Sequence, residues 1–157
     1  MRKGSSTSNG FGSRSSVSRM DHPEIDAEFL NGLTPEHFAG FVGMRVVEAR
    51  PGLVRTALEI EPHHLAANGF LHAAAVITVA DTACGFGVRT ILPEGASGFT
   101  TIELKSNFLG TTRTGAIVCD ATVAHAGRTT QVWDAVVRAG ERTIALFRCT
   151  QLVLYPA

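Results

Sequence analysis

The chain has 157 residues, of which 45% are hydrophobic and 18% charged, and its formal net charge at pH 7 is zero. This length is typical of one domain. The balance of 14 basic and 14 acidic residues excludes the excess of positive charge that is typical of a nucleic-acid-binding protein. No apolar run approaches the ~20 residues that span a bilayer. We predict a cytoplasmic protein with neither nucleic acid nor membrane as partner. The low charge content indicates apolar surface buried between subunits.

Residues 1–20 are dominated by serine and glycine, a composition typical of disorder. We therefore predict a disordered tail over 1–20 and a single domain over 21–157. The three cysteines, Cys84, Cys119 and Cys149, are widely spaced and form no CxxC pair. We interpret them as buried free thiols, not as a disulfide framework or a metal site.

The first predicted elements are a short helix and a hairpin. Thr34 can cap a helix and Pro35 suits its first position, so the helix is predicted from Thr34 to about Val42. Two extended runs, Met44–Arg50 and Leu53–Ile60, follow on either side of a Pro-Gly pair and predict a hairpin. A polar loop over 61–72 comes next.

A long apolar segment from Ala73 to about Leu92 follows the loop. Twenty residues without a turn signal are too long for an ordinary strand, so we predict a helix. The helix is apolar on nearly all sides, which is typical of a buried helix. Gly85 and Gly87 lie inside it at a cost in helix propensity, and we expect them to allow another backbone to approach closely.

Four long runs after Pro93 read as strands. Their short connections predict antiparallel neighbours in a four-stranded meander. Together with the hairpin they predict an α+β fold, an antiparallel sheet of about six strands wrapped around the long central helix. The four runs are Gly98–Leu109, Gly115–His125, Thr129–Arg138 and Thr143–Tyr155.

Asp81 lies about two turns into this apolar helix, where an unpaired carboxylate is costly. Because neither Leu71 nor His72 is a favoured N-cap, the N–H groups of Ala73–Ala75 are expected to be free to bind a ligand oxygen. Eight residues separate Ala73 from Asp81, about 12 Å along a helix axis. If the two groups cooperate on one carbonyl, they must come from two copies of the chain, which predicts a site at a subunit interface.

These segments resemble the hotdog-fold thioesterases related to the phenylacetate-degradation protein PaaI. The family has an asparagine-glycine loop, then His-Gly-Gly, then Leu-Ala-Asp-Thr-Ala with its aspartate nine residues after the histidine. His72 and Asp81 keep this spacing. The similarity covers roughly residues 34–155. Its other matching segments are Val79–Ala83, Thr100–Leu109, Gly115 and His125–Thr130.

The resemblance implies hydrolysis of an acyl-coenzyme A thioester, with no cofactor apart from the coenzyme A of the substrate. It makes Asp81 the nucleophile or general base and the Ala73 N–H the donor that polarises the thioester carbonyl. It implies that His72 either stabilises the loop or binds near the thioester. It also implies that Thr101 lies opposite Asp81 and holds either the water or the carboxylate. A homo-oligomer, dimer or dimer of dimers, is implied as well.

The loop before the helix departs from the family pattern. The usual asparagine position, six residues before the histidine, is Ala66, whereas Asn68 lies four residues before it; a rearranged loop could still present Asn68. His63 and His64 are expected to be solvated loop residues.

Coenzyme A phosphates are expected at the segment Gly127-Arg128-Thr129. Arg128 is the phosphate contact, because a guanidinium suits phosphate. Cys84 lies three residues after Asp81, with no base or positive field to activate it as a nucleophile. We expect a core thiol there.

Each predicted role has a purely structural alternative: a satisfied carboxylate at Asp81, a packed histidine at His72, a strand threonine at Thr101 and a solvated arginine at Arg128. At the level of the protein, the alternative is a non-catalytic acyl-coenzyme A binder on the same fold, which would not need Asp81. A hotdog hydratase or dehydratase is the weaker alternative, since it requires a differently spaced histidine and acidic residue. We favour the thioesterase.

Overall fold

A computed structural model describes residues 25–157; the predicted tail over 1–20 lies outside this range. None of the helices in the described range is long and apolar enough to cross a membrane. The elements, in chain order, are helix α1 (Ala27–Gly32), helix α2 (Phe38–Phe41), strands β1 (Arg45–Arg50) and β2 (Leu53–Glu59), a 3-10 turn (Pro62–His64), helix α3 (Ala73–Thr90), and strands β3 (Gly98–Phe108), β4 (Ala116–Ala126), β5 (Thr130–Ala139) and β6 (Arg142–Leu154).

The six strands form one antiparallel sheet in the order β1-β2-β4-β5-β6-β3, with α3 packed against it. The buried side chains of α3, among them Val79, Ala83 and Val88, meet those of the sheet, such as Ile117 and Trp133, in one core. This arrangement confirms the predicted hotdog fold. It also explains why α3 is apolar on most sides, because the curved sheet covers more than one face of the helix.

The predicted meander is wrong at β3. This strand pairs with β6, the last strand, and not with β4, which follows it in sequence. The connection over 109–115 must therefore cross three strand spacings, about 14 Å, and seven residues reach about 23 Å. A short connection therefore limits the distance between two consecutive strands, but it does not require them to be neighbours in the sheet. As a result, β3 is an edge of the sheet.

The predicted helix from Thr34 to Val42 is also wrong in extent. Helix α1, capped by Asp26, precedes it, and only the four residues of α2 are helical in the predicted range. Thr34 closes the first helix instead of opening the second, since its hydroxyl donates to the Asn31 carbonyl over 2.9 Å. A hydroxyl near a helix end can satisfy a free carbonyl as readily as a free N–H.

Gly87 leaves room for an aromatic ring and not for another backbone, contrary to our expectation. A Cβ at Gly87 would lie 2.4 Å from the ring of Trp133, and one at Gly85 would lie 3.4 Å from the ring of Phe99. Trp133 is fully buried, and its indole N–H donates to Gln131 over 3.0 Å. The small residue in the helix therefore allows the bulkiest side chain of the core to pack beneath it.

Candidate active site

The start of α3 presents one N–H that has no partner among the described residues, that of Ala73. His72 is the N-cap, and its Nδ1 accepts from the Ala74 N–H over 3.0 Å. The Ala75 N–H donates to the His72 carbonyl over 3.0 Å. The expectation of free N–H groups is therefore wrong at Ala74 and Ala75. An unpartnered N–H at the positive end of an 18-residue helix is a donor aimed at solvent or ligand.

The loop before α3 is held by a buried histidine, His64. Its Nδ1 accepts from the Glu61 N–H over 3.0 Å, and its Nε2 donates to the Val42 carbonyl over 2.8 Å. Its own carbonyl accepts from the His72 N–H over 2.9 Å. The prediction of a solvated His64 is thus wrong, whereas the neighbouring His63 is exposed. His64 fixes the N-cap of α3 against α2.

Asn68 lies at the exposed tip of the same loop. Its Oδ1 accepts from the Phe70 N–H over 3.1 Å, and the adjacent Gly69 has a φ of +79°, which favours glycine. The loop is closed by the Ala66 N–H, which donates to the Phe70 carbonyl over 2.8 Å. In one chain, Asn68 therefore stabilises a local turn.

Asp81 is half-buried on α3, and its Oδ1 is a buried atom with no hydrogen-bond partner in the described part of the chain. Burial raises the pKa of this carboxyl above its ordinary value of 3.8, because desolvation disfavours the charged form. A carboxyl with a raised pKa and a free oxygen is a frequent feature of functional sites.

Thr101 lies on β3 and is exposed. Its hydroxyl donates to Gln151 Oε1 over 3.0 Å, and Gln151 Nε2 in turn donates to Cys149 Sγ over 3.3 Å. Within one chain the hydroxyl proton of Thr101 is thus directed to Gln151 and not to Asp81. The lone pairs of the Thr101 oxygen remain able to accept a hydrogen bond.

The three cysteines are free and buried, as predicted. The hydrogen bond to Cys149, together with burial, raises the pKa of the Cys84 thiol well above its ordinary value. A protonated, buried thiol is a poor nucleophile. Cys84 is therefore a core residue. No group of three potential metal ligands is found within residues 25–157.

Gly127, Arg128 and Thr129 form the turn between β4 and β5. The Arg128 guanidinium lies 5.1 Å from the ring centre of Tyr155, and the Tyr155 hydroxyl donates to the Arg128 carbonyl over 2.7 Å. The turn lies at the sheet end where α3 finishes, because Gln131 beside it donates to the carbonyl of Ile91. In one chain, Arg128 is therefore at the opposite end of α3 from Ala73.

A cavity of about 140 Å³ adjoins the start of α3. Two phenylalanines of α2 contribute to it, Phe38 and Phe41, and they are 67% and 82% exposed. Sequence reasoning missed both, although two aromatic residues in a short glycine-containing stretch were a visible signal. The cavity is lined by Phe38, Phe41, Val42, His63, His64, His72, Ala75 and Thr78.

Comparisons with known proteins support the resemblance found in the sequence. The sequence profile of the thioesterase superfamily matches residues 68–146, half of the chain. The 1,4-dihydroxy-2-naphthoyl-CoA hydrolase of Listeria monocytogenes is 24% identical over 110 residues, which cover 69% of this chain and 89% of the hydrolase.

Two solved structures share the fold. A thioesterase family protein from Silicibacter pomeroyi is 33% identical, has a TM-score of 0.69, and the match covers 75% of this chain and 89% of that one. The PaaI protein of the E. coli phenylacetic acid degradation operon has a TM-score of 0.68 at 21% identity, with 74% of this chain and 83% of that one covered.

The six-stranded antiparallel sheet packed against α3 defines the class as a hotdog-fold protein. The match over 68–146 is more specific: the chain belongs to the thioesterase superfamily. The resemblance to hotdog thioesterases is thereby confirmed.

Proposed function

We propose that this protein hydrolyses acyl-coenzyme A thioesters to a free acid and coenzyme A, at a site shared by two copies of the chain. The observation that carries the proposal is a pair of groups on α3, the Ala73 N–H and the Asp81 Oδ1 atom, that have no hydrogen-bond partner among residues 25–157. About 12 Å of helix separates them. One chain therefore cannot present both to one small carbonyl group.

A second copy resolves this separation if the two chains associate antiparallel along β3. The start of α3 lies near the end of β3, since the Leu71 N–H donates to Thr112 just beyond that strand, whereas Gly85 lies beside Phe99 near its beginning. In an antiparallel pair, the start of one α3 therefore approaches the Asp81 half of the other. This supports a dimer, or a dimer of dimers, with the site at the interface.

The chemistry follows from the two groups. The Ala73 N–H of one copy donates to the thioester carbonyl oxygen and stabilises the negative charge that develops there, a contribution worth about 3–4 kcal/mol in acyl transfer. Asp81 of the other copy either takes a proton from the attacking water or attacks the carbonyl carbon itself. As a base, Asp81 passes this proton to the sulfur as the carbon–sulfur bond breaks, so that coenzyme A leaves as the thiol. As a nucleophile, Asp81 forms a mixed anhydride while the thiolate leaves; water then hydrolyses the anhydride to the free acid, and the proton released goes to the thiolate. The raised pKa of Asp81 makes it a stronger base than an ordinary aspartate.

The remaining predicted residues take supporting roles in this proposal. His72 caps Ala74 and so holds the neighbouring Ala73 N–H in position. The Thr101 oxygen accepts from the water or the protonated carboxyl. Asn68 shapes the loop that borders the thioester.

The coenzyme A phosphates are proposed to lie at the Gly127-Arg128-Thr129 turn. In the antiparallel pair, this turn of one copy lies at the same end as the start of α3 of the other. Arg128 is exposed there, and its guanidinium suits phosphate oxygens. The acyl group is proposed to enter the cavity beside His72, where Phe38 and Phe41 supply apolar contact.

The experiment that tests the function is Asp81→Asn, with thiol release measured over a panel of aromatic and straight-chain thioesters. We expect kcat to fall by at least about 10³-fold while binding of a non-hydrolysable thioester analogue persists. Wild-type protein that binds the analogue but releases no thiol would instead be the non-catalytic binder. Unchanged turnover in Asp81→Asn would contradict the proposed role of the carboxylate.

A further inference from the structure

Strands β5 and β6 each bury one glutamine. Gln131 and Gln151 are both fully buried, and they lie opposite each other in the pairing of the two strands. A buried amide is costly unless its oxygen and nitrogen are hydrogen-bonded. The hydrogen-bond partners of each glutamine therefore indicate what that glutamine does in the molecule.

Gln131 has partners in the core and at the end of α3. Its Oε1 accepts from the indole N–H of Trp133 over 3.0 Å, and its Nε2 donates to the carbonyl of Ile91 over 3.2 Å, just after the last residue of α3. Because Trp133 is itself fully buried, the loss of this glutamine would leave a buried N–H unsatisfied. Gln131 is therefore a structural residue.

Gln151 uses its oxygen differently. Its Oε1 accepts from the hydroxyl of Thr101 over 3.0 Å, although Thr101 is exposed and water could satisfy that hydroxyl. Its Nε2 donates to Cys149 Sγ over 3.3 Å, and sulfur is a weak acceptor. The fold therefore gains little from the burial of this amide, whereas the direction of the Thr101 hydroxyl is fixed by it.

The packing of β3 on α3 brings Thr101 towards Asp81. Gly85 lies beside the ring of Phe99, and the start of α3 lies near the end of β3. Asp81 is four residues before Gly85, about 6 Å towards the start of α3 on the same face. Thr101 is two residues after Phe99, about 7 Å towards the end of β3 on the same face. The two steps have the same direction, which supports the expected position of Thr101 opposite Asp81.

The contacts of Cys149 connect Asp81 with Gln151. A hydrogen bond from the Cys84 thiol lowers the pKa of Cys149, and the negative charge of Asp81 is among the effects that oppose this. Cys149 therefore lies near Asp81, and its sulfur accepts from Gln151. Burial raises the pKa of Asp81, so a hydrogen bond donated to this carboxylate would change its basicity.

We propose that Gln151 is a positioning residue, which accepts the Thr101 proton so that the Thr101 oxygen can accept a hydrogen bond from the attacking water. The inference rests on the proposed function, in the route where Asp81 is the base. The water transfers one proton to the Asp81 carboxylate as its oxygen bonds to the thioester carbon. Its other proton stays on that oxygen and is hydrogen-bonded to Thr101, since a hydroxyl that donates can still accept.

Without Gln151, the Thr101 hydroxyl would be free to donate to the Asp81 carboxylate. A hydrogen bond to the charged form lowers the pKa of a carboxyl, and the carboxylate becomes a weaker base. The loss of Gln151 should therefore lower both the rate of hydrolysis and the pKa through which kcat/KM rises with pH.

The test is Gln151→Met, which keeps an unbranched side chain and removes the amide, with Gln131→Met as its matched control. We expect kcat for thiol release to fall about tenfold in Gln151→Met, the effect of one lost hydrogen bond, with KM little changed. The pKa in its kcat/KM profile should lie below that of wild type. Gln131→Met should lose at least as much stability in thermal unfolding but keep the wild-type kcat and pKa. Equal kinetics for the two variants would overturn the positioning role.

Thr101→Val tests the same proposal without a change in the core, and it decides the matter even if Gln151→Met does not fold. Valine suits an exposed strand position. We expect a lower kcat but no rise in the pKa of the kcat/KM profile, because the Thr101 proton is directed to Gln151 and not to Asp81. A raised pKa would show that Thr101 donates to the carboxylate, contrary to the proposal.

The double variant Gln151→Met/Thr101→Val shows whether Gln151 acts through Thr101. It should be no slower than Thr101→Val alone, since the hydroxyl that Gln151 directs is already absent. Losses in kcat that multiply would contradict the proposal.

The outcomes separate this proposal from the proposed function. If wild type releases no thiol, the hydrolysis fails and the positioning role fails with it. If wild type releases thiol but Gln151→Met behaves like Gln131→Met, the hydrolysis stands and only the positioning role fails.

Discussion

Ala73 is the first residue of α3, and this position allows the N–H to be removed without removing the helix. Proline has no N–H and is well tolerated at the first helical position. The preceding His72 has φ −68° and ψ 138°, the extended conformation that a residue before proline adopts. Ala73→Pro therefore isolates the proposed donor.

We expect Ala73→Pro to fold normally and to lose about 10²–10³-fold in kcat, as when one oxyanion donor is removed. The control is Ala73→Gly, which keeps the N–H. Circular dichroism checks the helix, and thiol release measures turnover. Equal rates for the proline and glycine variants would show that this N–H takes no part in the reaction.

Asp81 couples activity to stability through its pKa. A carboxyl whose pKa is raised by folding binds its proton more tightly in the folded state. This contribution to stability is complete below the ordinary value of 3.8 and is lost as the pH rises through the raised value. Above the raised pKa, the folded protein therefore carries a half-buried charge that asparagine would not have.

We accordingly expect Asp81→Asn to melt at a higher temperature than wild type at neutral pH, with the difference shrinking as the pH falls towards 3.8. Thermal unfolding at several pH values measures this effect. In wild type, kcat/KM should rise with pH through the raised pKa, because the ionised carboxylate is the active form. A variant less stable than wild type at neutral pH would argue that Asp81 is paired.

At the scale of elements, α3 contains a glycine, Gly87, that has a low helix propensity but leaves space for the ring of Trp133. Gly87→Ala would gain up to about 1 kcal/mol in propensity, but its Cβ would lie 2.4 Å from the ring of Trp133. Overpacking of this kind costs about 1–3 kcal/mol. We expect a net loss in the free energy of unfolding, measured by denaturant titration.

Gly85→Ala is the matched control for this prediction. Its Cβ would lie 3.4 Å from the ring of Phe99, an ordinary contact, so the gain in propensity should remain. The same stability for both variants would mean that Trp133 moves freely away from the helix.

At the scale of the whole molecule, the shared site predicts complementation between two inactive variants. In a mixed dimer of Asp81→Asn and Ala73→Pro, one site carries both defects and the other carries neither. Random exchange of subunits should therefore restore roughly a quarter of the sites, by two-fold symmetry. Thiol release before and after exchange measures the recovery. If Ala73 and Asp81 acted within one chain, mixing would restore nothing.

Patterns among residues that are near each other in the chain were sufficient to predict the long helix and the six strands. The long, mainly apolar segment after His72, which has no turn signal, predicted α3, and extended runs separated by short turn segments predicted the hairpin and the four later strands; all of these elements are confirmed. The spacing of His72 and Asp81 indicated the family. These features depend on neighbours along the chain, so their periodicity is visible in the residue order.

The hydrogen-bond partners of individual groups and the position of each strand in the sheet depend on contacts between residues that are distant in the chain. His72 caps Ala74 and His64 is buried because folding brings a ring nitrogen to a particular N–H or carbonyl, a pairing that residue identity does not specify. Strand β3 lies beside β6 because hydrogen bonding between strands depends on distance in space and not in sequence. The same long-range pairing leaves β3 at an edge of the sheet.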